Sequence, residues 1–272
     1  MTSSFLPNKT SRGICYILGI ETTNVEPTTP PLRSYGEAFS DVYDEWYAEV
    51  DDLEAMLEML CERNPWRVLE LGVGTGRIAI PLARRIHPDG GQVVGLDESP
   101  EMLALLHHKD VDRLVTTAIG DMAREQPDGV FDLVVLSYNT LFNLGDQNLQ
   151  RECIAQSAAR LSAGGRLVID ACVIDPDAPA VGTTTERRGM WSLTTTSTFD
   201  SRTGDVVGTI TSVHDDDRIV ERPFRITYRS PEAIEHDCSS VGLRLTTRYE
   251  SWRRTPFTDA SSRHVSVFEN LR

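Results

Sequence analysis

Val68-Leu69-Glu70-Leu71-Gly72-Val73-Gly74-Thr75-Gly76-Arg77 is the stretch that decides the architecture. A short run of mostly apolar residues closes on glycines at alternate positions, and an apolar-periodic segment follows. That reads as a strand turning sharply into a helix, because glycine takes positive φ and leaves no Cβ between the backbone and an approaching ligand. The same texture repeats outward along the chain. Val93-Val94-Gly95-Leu96, Leu114-Val115-Thr116, the run Phe131 to Leu136, and Leu167-Val168-Ile169 are short apolar runs that read as strands buried on both faces. Helical periodicity occupies 76–87, 99–108 and 146–161 between them, so strand and helix alternate. Two further strands, at about 243–251 and 263–270, complete the expectation of an α/β fold: a doubly wound, mostly parallel, seven-stranded Rossmann-like sheet.

Upstream, Ala38, Phe39, Val42, Tyr43, Trp46 and Tyr47 recur at three- and four-residue spacing, with Leu53, Met56, Leu57 and Leu60 after them, which predicts amphipathic helices at 36–48 and 51–63. Residues 1–34 are rich in Ser, Thr and Pro and are expected to be a flexible extension. Residues 35–175 are expected to form the core with a helical lid. The alternation breaks at 176–229, where Trp191–Phe199, Val206–Val213 and Ile219–Tyr228 are Thr-rich and alternate polar with apolar, the pattern of a small antiparallel sheet covering the site. Ser230-Pro231-Glu232 then starts a capped helix that ends at Gly242, and 230–272 return the chain to the main sheet.

Composition narrows the function. The 272 residues carry 27 basic and 41 acidic side chains, a formal charge of −14, which sets a global field against nucleic acid and anionic membranes. No run approaches the length of about 18 apolar residues that a membrane span needs. The five cysteines are scattered without a C-x-x-C pair, which fits a reducing, cytoplasmic protein rather than a disulfide framework or a zinc site. Six histidines show no ligand spacing, and Asp215-Asp216-Asp217 reads as a solvated hairpin turn, so no metal is expected.

The glycines are spaced G-x-G-x-G, whereas a dinucleotide loop is G-x-G-x-x-G. Glu70 precedes them and would repel a phosphate but attract an ammonium. Asp97 closes the second strand, twenty-one residues beyond Gly76, where a carboxylate can accept both hydroxyls of a ribose. Gly120-Asp121-Met122 follows the third strand, where the acid can accept from an adenine amino group and the thioether can pack on the ring. With these elements in order, the chain resembles the class I S-adenosylmethionine-dependent methyltransferases over residues 35–170. The resemblance implies S-adenosylmethionine as cofactor and S-adenosylhomocysteine as product. It implies a cofactor set of Tyr43, Glu70, Gly72, Gly74, Asp97, Glu98, Met102, Asp121, Met122 and Ser137.

In open α/β sheets the acceptor sits beyond the carboxyl end of the fourth strand, here Ser137-Tyr138-Asn139-Thr140-Leu141-Phe142-Asn143. Tyr47, Tyr138, Asn139 and His236 are the catalytic candidates, with His264 a further candidate base. Tyr47, Asn139, Phe142, Asn143, Trp191 and Tyr228 are expected to line the acceptor pocket. The Tyr-x-x-Trp-Tyr helix and the antiparallel insertion look like the branch acting on small molecules of natural-product pathways, which includes glycine and amino-sugar N-methyltransferases and indole C3-methyltransferases of Trp-containing cyclic dipeptides. Asn143 stands where the amino-sugar enzymes carry a histidine. A small-molecule acceptor is expected, without nucleic acid or membrane, and a homodimer is compatible with the sequence. The alternatives from other classes are a catalytically silent scaffold and a NAD-dependent oxidoreductase.

Overall fold

The computed structural model describes residues 35–47, 52–175 and 180–272. The predicted extension at 1–34 lies outside the described residues. Among the described residues eleven strands run β1 Arg67–Leu71, β2 Gln92–Asp97, β3 Val115–Ile119, β4 Phe131–Leu136, β5 Leu161–Cys172, β6 Val181–Arg188, β7 Trp191–Asp200, β8 Asp205–His214, β9 Ile219–Thr227, β10 Leu243–Tyr249 and β11 Arg263–Asn270. The helices are α1 Tyr35–Phe39, α2 Tyr43–Trp46, α3 Leu53–Cys61, α4 Ala79–Ile86, α5 Pro100–Lys109, α6 Gln147–Arg160 and α7 Pro231–Ser240. The expected seven-stranded sheet is present, in the order β10-β11-β5-β4-β1-β2-β3. Its strands β3, β2, β1, β4 and β5 are parallel, and β11 pairs antiparallel with both β5 and β10.

Alternation along each central strand divides the core. Val68, Leu133, Val135 and Val168 face α3 and α4, while Leu69, Leu71, Val134, Leu136 and Leu167 face α6 and the second sheet. That two-sided burial is why the central strands read as nearly continuous apolar runs rather than as alternating ones.

The second sheet is a four-stranded antiparallel meander, β6-β7-β8-β9. Three of its strands match the Thr-rich runs; β6 was not predicted, because Val181–Arg188 carries few apolar residues and only Gly182 on it is buried. The sheet is not a free-standing cap: Trp191, Leu193, Val206, Phe224 and Ile226 are buried in the same cluster as the main sheet. The single helix expected at 36–48 is two short ones. Arg222 on β9 donates to the carbonyl of Ala38 at 2.7 Å and to Asp41 Oδ2 at 2.8 Å, which diverts the carbonyl that would continue the helix and turns the chain at Ser40–Val42. Ser230 accepts from Ala233 N–H and caps α7 as expected, and Gly242 takes φ +88 just beyond that helix.

Candidate active site

A cleft of about 950 Å³ lies across the carboxyl ends of the parallel strands, beneath α1, α2 and the β6–β7 turn. At one end it is framed by the glycine loop. Gly72, Gly74 and Gly76 all have positive φ. A Cβ on Gly72 would come within 2.5 Å of Thr140 Cγ2, while one on Gly74 would meet no atom within 4 Å, so the loop leaves open space there for a ligand.

The carboxylates after β1 and β2 are tied into this frame differently. Asp97 Oδ2 accepts from Gly74 N–H at 2.7 Å and Oδ1 from Ser99 N–H at 2.9 Å, which pins the end of β2 to the loop. Burial raises the Asp97 pKa, opposed by those N–H groups. Glu70 is buried, with its Oε2 lacking any hydrogen-bond partner. Burial pushes its pKa up to about 8, the Arg77 charge pulling the other way. After β3, Asp121 Oδ1 accepts from Ala123 N–H at 2.8 Å. Tyr43, Glu98, Met102, Met122 and Ser137 also line the cleft, so the ten residues expected around the cofactor are brought together. Helix α1 seats against α5 only because Gly36 has no side chain; a Cβ would fall 2.3 Å from Ser99 Cβ.

At the other end Tyr138 and Asn139 take φ of +51 and +65, a left-handed pair that costs two non-glycine residues of order 1 kcal/mol each. Asp170, at the end of β5, holds that turn: its Oδ2 accepts from Tyr138 N–H at 3.2 Å and its carbonyl from Asn139 N–H at 3.0 Å. The same carboxylate takes a bidentate pair from Arg263 at 2.6 and 2.7 Å and the Trp252 indole N–H at 3.2 Å. Asn139 Oδ1 accepts from Cys172 N–H at 2.6 Å, so its carbonyl oxygen is committed to the fold. The Tyr138 ring lies between two guanidinium groups, Arg77 at 4.8 Å and Arg263 at 5.4 Å. Burial lifts its pKa to about 12, the Asp170 charge adding to the rise while the charge of the Arg263 guanidinium and its hydrogen bond to the tyrosine side chain oppose it. The Tyr47 ring lies 5.0 Å from that of Tyr43, tilted by 52°, and carries Arg188 at 5.1 Å over its face. Asn143 is at the rim.

Five of the predicted residues lie elsewhere. Trp191 is buried 6.0 Å from the Trp46 ring and 4.8 Å from that of His214, and Phe142 packs on Tyr228 at 5.6 Å. All three aromatic candidates, Phe142, Trp191 and Tyr228, join the second sheet to the first instead of lining the cleft, because large rings are what that junction buries. His236 is exposed on α7, whose buried face is Ile234, Asp237 and Cys238, and it lies outside the cleft. His264 is fully buried beside Ser266, its pKa lowered to about 4 by desolvation, and is likewise outside the cleft. Residues 215–217 form the turn between β8 and β9, Asp215 paired with Arg187 and Asp216 with His214.

Arg77, Asp170, Arg188 and Arg263 were not predicted, although all line the cleft. Asp170 had a usable signal: like Asp97, it is an acid closing an apolar strand run. Arg77 had one too, as a charge directly after the third glycine. Arg188 and Arg263 had none, since only the fold brings them close.

The comparisons with known proteins agree with this geometry. The methyltransferase-domain family matches residues 68–165. The cypemycin N-terminal methyltransferase of a Streptomyces species is 30% identical over 247 residues, which cover 84% of this chain and 97% of that protein. The chain belongs to the class I S-adenosylmethionine-dependent methyltransferases. Among solved structures, the CcbJ methyltransferase of Streptomyces caelestis superposes on this methyltransferase with a TM-score of 0.79 at 28% identity, over 88% of this chain and 98% of that one. The S-adenosylmethionine-bound amino pentose methyltransferase CalS10 of Micromonospora echinaspora shares the fold, with a TM-score of 0.62 at 20% identity over 90% of this chain and all of that one. The cleft of this methyltransferase suits the cofactor on its own terms. The orphaned Glu70 oxygen offers an acceptor to an ammonium, the open face of Gly74 admits a close ligand, and the carboxylates of Asp97 and Asp121 follow in turn for ribose and adenine.

Proposed function

We propose that this natural-product-type methyltransferase delivers its methyl group to an amine nitrogen of a small molecule or short peptide. Bound S-adenosylmethionine supplies a methyl carbon already activated by a sulfonium leaving group, so the protein's share of catalysis is alignment and exclusion of water. Glu70, Asp97 and Asp121 hold the cofactor's ammonium, ribose and adenine in this reading. Tyr138 carries the acceptor side of the proposal. Its buried hydroxyl stays protonated to about pH 12 and keeps a free lone pair beside the Arg263 guanidinium, so it can accept an N–H from an amine and aim the nitrogen lone pair along the line of attack. The C–S bond breaks as the N–C bond forms, and the ammonium product releases its proton to water after transfer.

A neutral amine attacks without losing a proton first, and the described residues lining the cleft include no histidine or lysine to take one. The cypemycin N-terminal methyltransferase and a glycine/sarcosine N-methyltransferase among the relatives support the same choice of atom. Indole C3-methylation loses support, because three of the four rings invoked for its pocket are in the core.

The test is transfer of an isotopically labelled methyl group to four sets of acceptors: peptides with a free N-terminus, amino acids, amino sugars, and phenols with indoles. Mass and NMR locate the label. Label on nitrogen is expected, with Tyr138→Phe raising KM or lowering kcat by about tenfold, or about 1.4 kcal/mol. Label on oxygen or carbon would defeat the proposal.

A further inference from the structure

Asn139 has every polar group but one engaged in the fold. Its N–H donates to the Asp170 carbonyl at 3.0 Å, its own carbonyl accepts from Phe142 N–H at 2.8 Å, and its Oδ1 accepts from Cys172 N–H at 2.6 Å. A backbone N–H can only donate, so the last of these bonds fixes which end of the carboxamide is oxygen and turns Nδ2 the other way. The Nδ2 N–H groups have no partner among the described residues, although the residue keeps only 7% of its surface exposed. Asn139 lines the cleft, and that remaining surface opens on it. A nearly buried donor without a partner is expensive, and this one is carried on a non-glycine residue at φ +65. Strain held in place from several sides at a cleft wall is what a ligand contact requires.

The donor is also uncharged. Arg263, the guanidinium over the neighbouring Tyr138 ring, is held by both oxygens of Asp170, so its charge is compensated beside the turn. A neutral, doubly donating amide matches a carbonyl oxygen, which accepts through two lone pairs. In the function proposed above, the preceding residue Tyr138 accepts an amine N–H. Adjacent residues of one turn thus offer an acceptor for N–H and a donor for C=O.

We infer that Asn139 reads a carbonyl oxygen next to the reacting amine, so that the acceptor is an amino acyl compound, an amino amide or the first residue of a peptide, and not a plain amine. The inference rests on the amine reading of the cleft and deepens it by naming the group beside the nitrogen.

The labelled-methyl assay tests it with a small set of probe amines. Glycinamide and glycylglycinamide carry the carbonyl, isobutylamine keeps the shape of glycinamide without it, and glycine replaces it by a carboxylate. Asn139→Asp retains an oxygen for Cys172 N–H and a side chain that tolerates the left-handed region, but its carboxylate has no N–H to donate. The quantity read is the kcat/KM ratio of glycinamide to isobutylamine; taking it in wild type and variant at one pH cancels the different basicities of the two amines. The ratio is expected to fall by about tenfold or more in Asn139→Asp, with S-adenosylhomocysteine affinity within about threefold of wild type by calorimetry. A residue that only held the turn would slow both probes alike. With the ratio lowered, faster transfer to glycylglycinamide marks a peptide acceptor and faster transfer to glycinamide a small amino amide. A ratio the variant leaves unchanged overturns the inference, as does a wild type that labels neither amide or prefers glycine to both. Should Asn139→Asp fail to fold, Asn139→Gly, which adopts φ +65 without strain, is read in the same ratio. Label on nitrogen without any carbonyl preference removes this inference and leaves the amine reading standing; label on oxygen or carbon in the wider acceptor set removes both.

Discussion

At the glycine-loop end of the cleft, acids at or just beyond the carboxyl ends of three successive strands, Glu70, Asp97 and Asp121, sit on short backbone frames, and the reach of each is set by residues nearby in the chain or on the adjoining strand. At the opposite end Asp170, Arg263, Trp252 and Tyr138 form a buried polar knot from segments far apart in the chain, and Arg188 closes over Tyr47 from the second sheet. The first end is built from local geometry and leaves its polar atoms facing a ligand. The second is built from long-range ion pairs that hold a strained turn in place. The two ends meet at Tyr138, whose ring lies under Arg77 from the end of the glycine loop and under Arg263 from the knot.

Substitution can separate the two ends. Asp170→Ala has the largest expected effect: it leaves Arg263 unpaired and frees the Tyr138–Asn139 turn, at a cost of about 3 kcal/mol in stability by chemical denaturation. S-adenosylhomocysteine affinity of the folded variant should stay within about threefold of wild type, or about 0.7 kcal/mol. A large loss of cofactor affinity would mean the two ends are coupled. Asp97→Ala is the mirror experiment, with at least a tenfold loss of S-adenosylhomocysteine affinity, or about 1.4 kcal/mol, by calorimetry. Unchanged affinity would remove Asp97 from the ribose.

Glu70 gives a pH signature at the first end alone. Its folded pKa of about 8 lies above the reference 4.5, so between those values the folded ligand-free protein binds the extra proton, and its stability falls as pH rises through that window. Glu70→Gln should flatten that slope in thermal melts, and S-adenosylhomocysteine affinity should strengthen from pH 6 to pH 8 in wild type only. A slope that persists in Glu70→Gln would assign the titration to another group. The smallest effect belongs to His236→Ala, on exposed α7: kcat and its pH profile should be unchanged in the labelled-methyl assay. A reduced rate would place α7 at the acceptor end.

Much of the frame could be read directly from the chain, for a physical reason. Strands β1, β2 and β4 are buried on both faces and so are spelled as apolar runs, and the three glycines must be glycines because their φ is positive. The acids Glu70, Asp97 and Asp121 were legible because each stands at the carboxyl end of its strand or within two residues of it. The aromatic residues misled because burial and ligand contact select the same side chains: Trp191, Phe142 and Tyr228 have the composition of a pocket but serve as the seam between two sheets. Strand β6 escaped notice because threonine on both its faces gives little hydrophobic alternation.

The sequence by itself determined the order of strands and helices in the main sheet, the turn after β1 and the three strand-end acids, since each depends on residues within a few positions of one another. Only the tertiary structure decided which aromatics face the cleft, that the helix at the N-terminal side breaks where Arg222 claims its carbonyl, and that Arg77, Arg188 and Arg263 converge on three tyrosines. Those outcomes hang on contacts between segments distant in the chain, and no local periodicity records which distant partner a side chain will meet.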